Sequence, residues 1–214
     1  VKVDYQELMT RNEELHPDLV PYFEPEKDGN WSMLRSPLVY QVPFFNNAFA
    51  NQQYAERKRV VDKLISEGEY RQAIWMYERP FRVEVFEAFA PRLSNQEYWT
   101  LLAHVWTDTE NAWQYRERWM ELYESERPMR HALMDDDESK EYDALPDMVT
   151  IYRGCQKGIN EDGLSWTLDK KKAQWFANRF QKDGIVLERT VPKSQIIAYY
   201  AGRGESEVIL GGAK

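Results

Sequence analysis

Cysteine is nearly absent from this chain: Cys155 is the only one in 214 residues. No intramolecular disulfide can form, and a reducing compartment is the natural setting. Long apolar runs are missing as well. No stretch approaches the roughly 18 apolar residues of a membrane span, so no crossing helix is expected. The chain does not open on a basic start followed by an apolar run, so no secretory leader is expected. Histidine is scarce: His16, His104 and His131 lie far apart and show no ligand spacing. Cys155 has no second thiol to join it, so no metal site is expected. Basic charge is in deficit. The chain carries 28 Lys and Arg against 36 Asp and Glu, a net charge of −8 and a pI of about 5.1. That balance disfavours nucleic acid as the main partner, because phosphate backbones select basic surfaces.

Aromatic side chains are plentiful, at 14% with eight Trp and thirteen Tyr. A disordered chain would not carry them, and the length supports one large or two small domains with true cores. Two regions differ in periodicity. Residues 1–145 read as mainly helical. A helix is expected over Tyr54–Ser66, broken by Gly68, followed by Tyr70–Tyr77 and Arg82–Ala90. Asn95 can cap a long helix over Glu97–Ser125. Within it Trp99, Trp106 and Trp113 recur every seven residues, which makes a stripe on one face. A buried packing seam and a ligand-stacking platform both fit that stripe. Pro21, Pro25, Pro37 and Pro43 predict an ordered loop with short turns across 20–50. The acidic run Asp135-Asp136-Asp137-Glu138 reads as a solvated linker rather than a cation site, because adjacent carboxylates on a loop do not converge.

From Pro146 the pattern changes to short β-branched and aromatic runs, predicting strands over 148–153, 164–167, 184–190, 195–200 and 205–210. One helix interrupts them, with Asp169 as its cap and Ala173, Phe176, Ala177 and Phe180 on one face. The fold class is therefore α+β: a helical N-terminal region over 1–145 and a small mixed β-sheet domain over 146–214.

Three short signals in that last third carry chemistry. Arg153 ends a strand run and precedes Gly154. Its planar guanidinium can hold two oxygens of a diphosphate, and Gly154 permits a close backbone approach. Ser165 opens the second strand, with Thr167 expected on its face and Trp166 on the other. Glu205 and Glu207 open the last strand, where alternation would point both the same way, onto a wet or ligand-facing side. Plainer readings stand beside these. Arg153 can pair with Glu205 or Glu207, Ser165 and Thr167 can be ordinary strand or cap residues, and an E-x-E pattern can be a solvated face. His104, between helical apolar residues, reads as a packed side chain rather than a base.

The order Arg153, then Ser165-Trp166-Thr167, then Glu205-Ser206-Glu207 resembles the arginine–serine–glutamate class of mono-ADP-ribosyltransferases, found among bacterial toxins, phage proteins and vertebrate enzymes. The resemblance spans about 148–210. Where that family carries Ser-Thr-Ser, the middle position here is Trp166. The resemblance implies an ADP-ribosyltransferase fold over the last third and NAD as co-substrate. It implies that Arg153 holds the NAD phosphates, that Ser165 steadies the site, that Glu207 is the catalytic carboxylate and that Glu205 directs transfer to arginine. Gly154, Trp166, Thr167, Trp175 and Phe176 would complete the NAD site, the last two as walls for nicotinamide. Tyr200 and the loop Gly202-Arg203-Gly204 would touch the target. The implied partner is a protein modified on a side chain, in the cytoplasm, or in a host's cytoplasm for a phage-borne protein or effector. The alternative is a catalytically inactive relative that binds or regulates.

Overall fold

A computed structural model describes residues 5–110, 112–179 and 183–211, apart from the side chains of residues 5, 9 and 203. The architecture is mixed α+β, with an N-terminal helical stretch and a small β-sheet domain. The chain forms two compact units, Val1–Arg92 and Leu93–Lys214. The boundary expected at 145/146 thus lies inside the second unit, and the helices from residue 95 onward fold together with the sheet. No helix among the described residues is long and apolar enough to cross a membrane.

The first unit holds helix α1 (Tyr5–Thr10), a three-stranded antiparallel sheet of β1 (Phe23–Glu24), β2 (Met33–Arg35) and β3 (Tyr40–Gln41), and helices α2 (Asn47–Ser66), α3 (Tyr70–Trp75) and α4 (Arg82–Phe89). The stretch expected to be a loop over 20–50 therefore carries a sheet. Its prolines all fall outside the strands, so no ladder donor is lost. Helix α2 starts seven residues before the expected Tyr54, because the Asn46 side chain accepts from the Phe49 amide and caps it there. Leu19, Leu34, Val39 and Ala50 form the core, with Tyr22, Phe23 and Phe44 packed against it.

The second unit begins with α5 (Asn95–Asp108). Its cap is Ser94, not Asn95, in a reciprocal capping box with Glu97. The long helix expected to Ser125 is broken. Thr109 turns extended, at φ −81° and ψ 129°, and the chain resumes as a single 3-10 turn and then α6 (Arg116–Tyr123). The tryptophan stripe splits with it: Trp99 and Trp106 are buried, whereas Trp113 is half exposed. The acidic run expected to be a linker instead starts α7 (Asp136–Asp143). Asp135 caps the helix with Glu138 closing the box, and carboxylates there meet the positive end of the helix dipole.

The sheet follows with β4 (Met148–Gln156), β5 (Ser165–Thr167), α8 (Lys170–Asn178), β6 (Gly184–Pro192), β7 (Ile196–Tyr200) and β8 (Glu207–Leu210). All five strands pair antiparallel, in the order β6-β4-β5-β8-β7. Asp169 caps α8 as expected, accepting from the Lys171 amide; Phe180, placed on that helix's face from sequence, lies outside the described residues. One sheet face carries Val149, Ile151, Trp166, Val191, Tyr199 and Val208 as core. Alternation sends Tyr152 and Gly154 to the other face, where α8 lies so close that a Cβ at Gly154 would sit 2.0 Å from the Ala173 carbonyl oxygen. Cys155 is buried at the far end of β4.

Candidate functional site

Strand register builds the centre of the site. Tyr152 stands opposite Thr167, and Thr167 opposite Glu207, so these three share a row across β4, β5 and β8. Ser165 pairs with Ile209 on the same two strands. Ser165 Oγ donates to Glu207 Oε1 at 2.5 Å. A second donor reaches the same oxygen from α5: Trp106 Nε1, at 3.2 Å. The face expected to be wet or ligand-facing carries these contacts, and Ile209 on it is fully buried.

Arg153 leaves β4 one position beyond Tyr152, on the side of Ile151 by strict alternation. Its guanidinium ends on backbone carbonyls where β5 begins. Nε donates to the Asn160 carbonyl at 3.0 Å, and Nη1 donates to the carbonyl of Ser165 itself. Buried Gly163 leaves room for it: a Cβ there would lie 2.3 Å from Arg153 Nη2. Burial pushes the guanidinium down from its ordinary value, and the neighbouring Cys155, Asp162 and Glu207 work against that shift. Arg153 and Glu207 thus leave opposite faces of the sheet by strict alternation, and both bond Ser165, the cation at its carbonyl and the carboxylate at its hydroxyl.

The other nominated residues divide. Glu205 does not join Glu207 by alternation. Glu205 is in a helical conformation at the end of a 3-10 turn, Ser206 has φ +43°, and the strand starts only at Glu207. The contact Glu205 makes with β5 is through its backbone, whose carbonyl accepts from Thr167 Oγ1 at 2.5 Å. Thr167 Oγ1 also accepts from the Asp169 amide, so this buried hydroxyl fastens two turns to the sheet. Trp166 is core, at 2% exposure, and its indole donates to the Gly163 carbonyl. Gly154 does permit a close approach, but helix α8 occupies it. Trp175 is exposed on α8, edge-on to Phe176 at 5.0 Å, with Lys172 and Arg179 over its ring.

Tyr200, nominated as a target contact, is 2% exposed. Its hydroxyl bonds that of Tyr123 at 3.2 Å. Burial raises both phenols above their ordinary value, and the nearby Glu207 charge raises them further. Trp106 packs edge-on against Trp119 and Tyr123, with centroids 5.1 and 5.5 Å apart. The side chain of Arg203 lies outside the described residues. Trp106, Tyr123, Asn160 and Gly163 were not nominated from the sequence. The heptad spacing marked Trp106 as a stripe residue, but nothing local shows that its indole meets a carboxylate 101 residues later.

Among the described residues no group of three or more His, Cys, Asp or Glu is placed to hold a metal ion. A cavity of about 260 Å³ lies wholly within the first unit, lined by Tyr22, Leu38, Tyr54, Lys58 and Tyr77 among others, none of them nominated from sequence. No family model, curated protein or solved structure matches the chain.

Proposed function

We propose that the second unit transfers ADP-ribose from NAD to a protein side chain, with release of nicotinamide. What supports the reading is that one residue bonds both charged groups: the Ser165 hydroxyl donates to the Glu207 carboxylate, and the Ser165 carbonyl accepts from the Arg153 guanidinium. The residues fit such a substrate. Of the five guanidinium N–H donors, the bonds described engage Nε and one on Nη1, which leaves donors for phosphate oxygens. NAD supplies a positively charged glycosidic nitrogen, from which nicotinamide leaves neutral while positive charge develops on the ribose carbon. Glu207, accepting the adjacent ribose hydroxyl, would stabilise that charge more than it stabilises bound NAD. Arg153 would hold the pyrophosphate and fix the leaving direction. Glu205 would orient an arginine acceptor and take its proton. The test is incubation with labelled NAD, with and without cell lysate. Glu207→Gln is expected to lose nicotinamide release by about 100-fold or more, in line with loss of a group acting on transition-state charge. Retained release in that variant removes the assignment. Glu205→Gln is expected to lose protein labelling more than NAD hydrolysis, and equal loss of both removes its acceptor role.

One observation favours a second reading. Both charged groups are bonded within the protein, Arg153 to two carbonyls and Glu207 to Ser165 and Trp106. A binding or regulatory protein would use them as internal fasteners. That reading requires no nicotinamide release from the wild type, with or without a rise in melting temperature on adding NAD.

A further inference from the structure

We infer that Trp106 is a positioning residue for the Glu207 carboxylate, so that helix α5 completes the site from outside the strand signals. The inference rests on the reading just proposed. Both donors described above land on Glu207 Oε1, one from the neighbouring strand and one from the helix. They differ in kind. A serine hydroxyl rotates and can accept as well as donate, whereas an indole N–H only donates and does not titrate in the working range. It therefore favours the ionised carboxylate at every pH. Its direction is also fixed. Trp106 is 5% exposed and Trp119 and Tyr123 are fully buried, and edge-on packing against both rings holds the indole plane. The hydroxyl pair of Tyr123 and Tyr200 extends the same wall, and burial keeps both phenols protonated. Glu207 is thus backed by a neutral, rigid aromatic wall with one N–H aimed at it, and hydrogen-bond donors preset on a carboxylate spare it reorientation during reaction.

Trp106→Phe keeps an aromatic ring in the packing and deletes the donor, together with part of the indole's volume. Losing one hydrogen bond to a charged acceptor is expected to lower kcat for nicotinamide release by about 10-fold or more, with KM changed little. The acid limb of the pH–rate profile should move to higher pH, since a donor to the ionised carboxylate is gone. Tyr123→Phe, which leaves the indole in place, should keep the wild-type acid limb. A Trp106→Phe enzyme with wild-type kcat and acid limb overturns the inference. A second measurement does not need activity. In 15N-tryptophan-labelled protein, the Trp106 indole N–H resonance, assigned by its loss in Trp106→Phe, should shift in Glu207→Gln. An unmoved resonance overturns the inference even if the wild type releases no nicotinamide, whereas absent release alongside a shifted resonance overturns only the transferase reading.

Discussion

Gly163 does at residue scale what no charged side chain could do: it makes space for one. Its missing Cβ is the room in which the Arg153 guanidinium lies. Gly163→Ala adds one methyl group and removes no charge, yet it must displace Arg153 from the Asn160 and Ser165 carbonyls. If Arg153 holds the pyrophosphate, the variant should raise the KM for NAD about 10-fold while the protein still melts cooperatively. Steady-state kinetics beside a thermal scan would check it, and an unchanged KM would separate Arg153 from the phosphates. The residue scale is also where sequence reading was weakest. Glu205 and Glu207 were expected to share a face because strands alternate, but Ser206 at φ +43° resets the chain between them. A single left-handed residue in a run that otherwise reads as strand leaves no trace in composition. The heptad spacing places Trp106 and strand alternation places Trp166, but neither gives the destination of an indole N–H.

At the scale of elements, helix starts carry their own chemistry, and much of it was legible. Asp169 caps α8 as expected. Ser94-x-x-Glu97 and Asp135-x-x-Glu138 both spell capping boxes, although the first cap lies one residue before the expected Asn95 and the second sits in a run that composition alone marks as a charged linker. All five strands of the large sheet were legible as β-branched and aromatic runs, while β1 to β3 were not: two or three residues between prolines show no periodicity. The Ser94 box gives a pH-dependent prediction. The Ser94 hydroxyl, and then its backbone amide, hold the Glu97 carboxyl below its ordinary value. A depressed carboxyl contributes stability that is present above its unfolded value and lost as pH falls through the folded one. Ser94→Ala should therefore cost about 1 kcal/mol near neutral pH. The deficit should narrow in acid, once Glu97 is protonated in both proteins. Urea titrations at about pH 7 and about pH 3 would check it, and a constant deficit would mean that the carboxylate takes no part.

The whole molecule divides at Arg92/Leu93 rather than near residue 145. The change of periodicity at Pro146 was real, but a change in element type is not a domain boundary. Met134, Tyr142 and Leu145 pack on the sheet core, and the Tyr142 hydroxyl donates to the Ile196 carbonyl. None of these contacts has a local sequence signature. A fragment spanning 93–214 should thus fold cooperatively and keep the Trp106 contact. A fragment spanning 146–214 should expose the core face of the sheet and aggregate. Size-exclusion chromatography and near-ultraviolet circular dichroism would check both, and a monomeric, cooperatively melting 146–214 fragment would show that the helices are dispensable for the fold.

The buried thiol at the end of β4 turns the protein into its own clock. Cys155 is 3% exposed, and burial pushes the thiol's pKa above its ordinary value even with Arg153 beside it, so an alkylating reagent reacts only in molecules whose sheet has opened there. Because no second cysteine competes for the reagent, the rate of labelling in the intact chain counts how often the strand that carries Arg153 comes loose.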